Sequence, residues 1–114
     1  MRIVKRSSTA KHSNSPSCTV YEYDFDDAEV NFCTTEISGR YPDVGFAMNT
    51  KCKEYAYIVS GSGTVFAKSG SSVEFAVGDM VLIEPNEPYY WEADCVALLP
   101  CLPAWSPDQY EEVT

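Results

Sequence analysis

Histidine is almost missing from this chain. The only one, His12, lies in a polar N-terminal stretch, far from any apolar periodicity. A Cys–His or Ser–His nucleophile therefore lacks its base, and an imidazole-rich metal centre lacks its ligands. None of the five cysteines (Cys18, Cys33, Cys52, Cys95, Cys101) forms a C-x-x-C pair. With an odd count and no secretion signal, a zinc ribbon or disulfide framework is not expected, and the thiols are read as reduced and buried. No apolar run approaches the ~20 residues of a membrane helix. The first seventeen residues are basic and Ser-rich without an apolar centre, so they do not read as a cleaved leader, and the chain is expected to be cytoplasmic. Positive charge is scarce too: 8 Lys and Arg against 17 Asp and Glu give a net charge of −9. Such a surface repels phosphate backbones, so nucleic acid is not an expected partner, and neither is a membrane. P-loop, G-x-S-x-G and dinucleotide fingerprints are absent. No window of eleven or more residues carries helical spacing.

What remains is a sequence of short extended segments. "VYEYDF" alternates, with Tyr21, Tyr23 and Phe25 on one face and Glu22 and Asp24 on the other. "VNFCTTEI" runs to the turn "SGRYPDVG". "FAMN" and "EYAYIVS" follow, the latter ended by "GSG" read as a tight turn. "TVFAK", "VEFAV", "MVLIE", "YYWEA" and "CVALLP" come next, separated by Gly- or Pro-bearing turns. Eight or nine strands with turns every 8–12 residues predict an all-β antiparallel sandwich or barrel. The expected organisation is a flexible tail over 1–17 and one barrel domain over 18–114. The Pro-rich "CLPAWSPDQYEE" reads as irregular. Its Trp105 either covers one barrel end or lies across a dimer partner, and the segment's role is read as structural.

Two motifs carry a resemblance to a known family. Glu54 to Gly61 gives E-x6-G, followed by a strand, and Gly78–Trp91 reads "GDMVLIEPNEPYYW". Over roughly Arg40 to Trp91 the chain resembles the cupins, and is similar to a small single-domain member. The resemblance implies a double-stranded β-helix, a jelly-roll barrel with an interior pocket, often assembled as a homodimer. Metal-binding cupins have H-x-H ahead of the glutamate and a third histidine at the end of the second motif. Here those positions hold Ala47 and Asn49 (Met48 and Thr50 in the shorter spacing) and Tyr89. One carboxylate and weak oxygen donors do not make a transition-metal site, so no metal and no cofactor are expected.

The resemblance places Glu54 inward. A buried carboxylate needs partners or a raised pKa, which makes Glu54 the first candidate for hydrogen bonding or acid/base work, with Asn49, Tyr89 or Arg40 as alternative anchors. Alternation sends Tyr89 and Trp91 to one face, as a stacking wall or as barrel filling, and Tyr90 to the other. Arg40, at a turn, is placed either at the barrel mouth as an anion clamp or in a surface ion pair. The expected ligand-binding set is thus Glu54, Tyr89, Asn49, Trp91 and Arg40. The function expected first is a metal-free barrel that binds a small polar organic ligand, as a binding or sensory module. The alternatives are an isomerase, epimerase or lyase using Glu54 and Tyr89 as acid and base, and a dimeric scaffold. Outward Tyr21, Tyr23, Phe25, Tyr55 and Tyr57 exceed what one small interior absorbs, which also predicts a homodimer.

Overall fold

The computed structural model describes all 114 residues. Nine strands form one curled antiparallel sheet: β1 (Ala10–Ser15), β2 (Cys18–Tyr23), β3 (Asn31–Tyr41), β4 (Phe46–Asn49), β5 (Lys53–Ala67), β6 (Ser72–Ala76), β7 (Met80–Ile83), β8 (Tyr89–Leu102) and β9 (Tyr110–Val113). Two short 3-10 turns, Arg6–Ser8 and Pro107–Gln109, are its only helical pieces. The all-β, cupin-like jelly-roll expectation holds.

Two long strands organise everything else. β5 and β8 pair from Lys53↔Leu102 to Ala67↔Tyr89. The outer edge of β8 then carries β3, from Asn31↔Cys101 to Tyr41↔Trp91. The other edge of β5 is divided between β7, at Glu54–Tyr57, and β6, at Ser62–Phe66. Along β8 the odd-numbered positions Tyr89, Trp91, Cys95, Ala97, Leu99 and Cys101 are buried, while even-numbered ones meet solvent wholly or in part. Together with Ile37, Ala47, Ala56, Ile58, Phe75 and Ile83 they are among the buried hydrophobic residues of the core.

The "GSG" segment is not a tight turn. β5 runs through it, and a register irregularity between Ile58 and Ser60 bends the strand where it passes from β7 to β6. The glycines are there for close approach. A Cβ on Gly61, whose φ is +83°, would lie 1.9 Å from the Asp94 carbonyl oxygen, and one on Gly63 would lie 2.5 Å from the Ala93 Cβ. "YYWEA" and "CVALLP" are likewise one strand, and "SGRY" continues β3 instead of ending it.

The N-terminal stretch also departs from expectation. Residues 10–15, expected within a flexible tail, pair with β2 from Ala10↔Glu22 to Ser15↔Cys18. β1 is an edge strand with nearly every residue exposed, so its sequence has no apolar alternation to betray it. Arg6, in the preceding turn, lays its guanidinium 3.5 Å from the centre of the Tyr21 ring, covering one of the outward aromatics. At the other end, "SPDQYEEV" is ordered as a 3-10 turn and β9, which pairs with β4 from Phe46↔Val113 to Asn49↔Tyr110.

Candidate functional site: a carboxyl–phenol pair in the barrel

One end of the barrel encloses a cavity of about 300 Å³. Its floor comes from the motif strands. β5 presents Glu54 inward, in phase with buried Ala56 and Ile58, and β8 presents Tyr89 and Trp91, only 5% and 3% exposed. The Tyr89 hydroxyl donates to Glu54 Oε2 at 3.2 Å. Burial raises the Glu54 carboxyl from its ordinary value of 4.5 to about 7, and the Tyr89 hydrogen bond opposes the rise without cancelling it. Tyr89 is pushed well above 10 by burial and by the neighbouring Glu54 charge, so it keeps its proton. Near neutral pH the titrating member of the pair is therefore Glu54, with Tyr89 a fixed donor.

The three positions where histidines would stand are accounted for individually. Ala47 on β4 is fully buried and sits directly across from Tyr89 in the ladder. Asn49, also buried, lines the cavity, but the Trp105 indole N–H donates to its Oδ1 at 2.9 Å. Asn86, in the turn before β8, adopts φ +63°, a left-handed conformation that asparagine tolerates better than most residues. Its backbone N–H donates to the Asn49 carbonyl at 2.7 Å. No three His, Cys, Asp or Glu side chains converge as a ligand group. One carboxyl beside a protonated phenol and an engaged amide does not fit a transition-metal centre.

Of the expected ligand-binding set, Glu54, Tyr89, Asn49 and Trp91 are brought together in the cavity lining. Arg40 is not. Its guanidinium donates to the carbonyl oxygens of Pro42 (2.6 Å) and Gly45 (2.9 Å) and lies 4.0 Å from the centre of the Tyr90 ring, on the outer face. Neither the mouth clamp nor an ion pair with an acid is formed: Arg40 fastens the loop after β3. The even-numbered parity of Arg40 on β3, opposite to that of buried Thr35 and Ile37, is the reason.

Residues outside the expected set complete the wall. Tyr41 continues the inward parity of Thr35 and Ile37, a signal hidden when "SGRY" is read as a turn. It lines the cavity together with Tyr110 of β9, and burial pushes its pKa up. The Pro-rich segment after β8 closes one side, as one of its two readings anticipated. The Trp105 backbone N–H donates to Asn31 Oδ1 at 2.9 Å, and buried Gln109 accepts from the Cys52 N–H at 2.9 Å. Trp105 and Tyr110 meet edge to face, with ring centres 6.4 Å apart. Cys33 and Cys101 also face the cavity. The neighbouring Cys52 thiol and burial drive the Cys101 pKa upward, so it keeps its proton. All five cysteines are free. At the rim, Glu22 lies 3.7 Å from His12 Nε2, so the lone histidine belongs to β1 and not to an unstructured tail.

An all-β double-stranded helix, with the glutamate and second-motif strands meeting inside it, is the cupin-like fold, here without the imidazole set. The family model for the EutQ-like cupin domain matches residues 43–96, just under half of the chain. Among solved structures the chain is similar to Pac13, a nucleoside dehydratase (TM-score 0.89, 15% identity, covering 99% of this chain and 91% of that one). Streptomyces Pac13 variants are also solved with uridine. The polyketide cyclase RemF from Streptomyces resistomycificus follows at TM-score 0.76 and 16% identity, covering 100% of this chain and 86% of that one. Ectoine synthase from P. lautus gives 0.75 and 12%, with 100% and 91% covered. At these identities the likeness is one of fold. No curated protein matches the sequence. No helix is long and apolar enough to cross a membrane.

Proposed function

We propose that the barrel takes a small polar organic molecule into its interior and that Glu54 exchanges a proton with it while Tyr89 donates a hydrogen bond. Asn49 and Trp91 are ligand contacts in this reading, and Arg40 is not. The observation that carries it is the Glu54–Tyr89 pair on the floor of a cavity large enough for a ligand. A carboxyl near 7 is half ionised at neutral pH and can serve as base or acid, whereas an ordinary glutamate serves only as base. Fold neighbours that are enzymes on organic substrates make proton-transfer chemistry, elimination or isomerisation, the reaction class to test first. The sensory module is the same reading without turnover.

The test is a thermal-shift screen of nucleosides, sugars and hydroxy acids, followed by titration of the best hit against wild type, Glu54→Gln and Tyr89→Phe. Glu54→Gln should weaken binding by about 1–3 kcal/mol, the range for a hydrogen bond to a charged group. Proton exchange at the bound ligand, followed by NMR in heavy water, should stop in the same variant. Affinity equal in wild type and Glu54→Gln would remove Glu54 from the site.

A second reading concerns assembly. Tyr57, Met80 and Leu98 are exposed on the outer face at positions paired across β7, β5 and β8, and Leu82 continues the patch. A contiguous apolar area on a sheet of this kind supports a homodimer.

A further inference from the structure

The cavity carries negative charge without any positive counterpart. Among its eighteen lining residues are three glutamates, Glu22, Glu54 and Glu112, and no lysine, arginine or histidine. The basic side chain nearest the lining is His12, whose Nε2 lies 3.7 Å from a Glu22 carboxylate oxygen at the rim, and no lysine, arginine or histidine is part of the wall. The molecule as a whole is acidic, so its field repels an approaching anion and favours a cation. A phosphate or carboxylate ligand would meet Glu54 with no countercharge in the wall.

The remaining wall is aromatic. Tyr41, Tyr89, Trp91, Trp105 and Tyr110 all contribute to it. Several are held in fixed orientations: Trp91 edge to face on Phe75 at 5.4 Å, Trp105 at 63° to Tyr110, and the Trp105 indole N–H anchored on Asn49. Ring faces carry negative electrostatic potential, and several rings beside a carboxylate are the usual recognition chemistry for ammonium groups. A neutral polyol would hydrogen-bond Glu54 but offer no charge to hold it as carboxylate, so it gains nothing from the ionised form. A cation supplies the countercharge and uses the rings as well. The volume, at the lower end of the range for ligand sites, suits a small molecule.

We infer that the ligand of this cavity is a small organic cation, an amine or quaternary ammonium compound, seated with its nitrogen toward Glu54 and among the aromatic side chains. The inference rests on the reading of the barrel interior as a ligand site and narrows it to one charge class. With such a ligand bound, Glu54 is held as carboxylate, the base form of the pair.

Calorimetric titration with four probes tests it: choline, its neutral isostere with carbon in place of the quaternary nitrogen, uridine and uridine monophosphate. Each is titrated into wild type and Glu54→Gln, with circular dichroism confirming that the variant is folded. Choline should bind at least about ten-fold more tightly than its isostere. Glu54→Gln should lower choline affinity by a similar factor and leave the isostere unchanged. Choline that binds no better than the isostere, or not at all at millimolar concentration, overturns the inference, as does tighter binding of uridine monophosphate. If uridine binds in a Glu54-dependent manner while choline does not, the charge class is wrong and the interior ligand site stands. Choline that binds with equal affinity to wild type and Glu54→Gln overturns both.

Discussion

At the scale of the residue, Glu54 is a cost to the fold that the site retains. Its carboxyl titrates near 7 in the native protein and at about 4.5 when unperturbed. Below that lower value both states are protonated and the group is neutral in its effect. Between pH 4.5 and 7 the unfolded chain releases the proton while the native state keeps it, so stability falls as pH rises, and above 7 the loss is constant. The size is about 3 kcal/mol. Four neighbouring groups lie above this window: Cys18 and Cys33 are pushed up to about 12, and Tyr41 and Tyr89 above their ordinary 10. Urea unfolding of Glu54→Gln should therefore show it more stable than wild type at pH 8 by up to that amount, with the difference gone at pH 4. A variant less stable than wild type at pH 8 would mean that the Tyr89 hydrogen bond outweighs the desolvation.

At the scale of the element, β5 depends on its glycines. Gly61→Ala drives a methyl into the Asp94 carbonyl and forces a left-handed alanine, and should cost about 3 kcal/mol or more. Gly70→Ala, at φ +103° but with open space around it, should cost about 1 kcal/mol, from backbone strain alone. Equal losses in denaturant midpoint for the two variants would show that the close approach of β5 and β8 is not what Gly61 serves. The same glycines explain what could be read from the sequence and what could not. Alternation is a local signal, so the face Glu54 shares with Ala56 and Ile58, the face Tyr89 shares with Trp91, and the segments "FAMN", "VEFAV" and "MVLIE" were legible, while the inward side of Glu54 came from the resemblance to the cupins. A glycine has the same letter whether it makes a turn or admits a neighbouring strand, and only the partner distinguishes the two. Reading Gly61 and Gly39 as turns cut β5 and β3 short, and hid Tyr41 with them. Edge strand β1 has almost no buried residue, and the inward side of β9 holds Tyr110 and Glu112, so neither shows an apolar alternation. Trp105, Tyr110 and Glu22 reach the cavity through tertiary closure, which no spacing rule encodes.

At the scale of the whole molecule, the outer face of β7, β5 and β8 predicts assembly. Light scattering at micromolar concentration should give twice the chain mass, and Tyr57→Glu, placed in the exposed patch, should give the monomer with an unchanged circular dichroism spectrum. A wild-type monomer at that concentration would leave the patch without this role. The phase of β8 has a consequence for how the chain tolerates change in length. From Tyr89 to Cys101 every odd-numbered position keeps the inward side, without a bulge in its pairing to β3. β8 therefore acts as a reading frame for the barrel's interior. One inserted residue near its middle would exchange the two sides of everything beyond it, offering Leu98 and Leu102 to the cavity and turning Leu99 and Cys101 outward. The same insertion in the turn at Ser69–Gly70, where nothing packs against the glycine, would pass without effect on the interior. Length variation among chains of this design should thus collect at the turns and spare β8, whatever ligand each has come to hold.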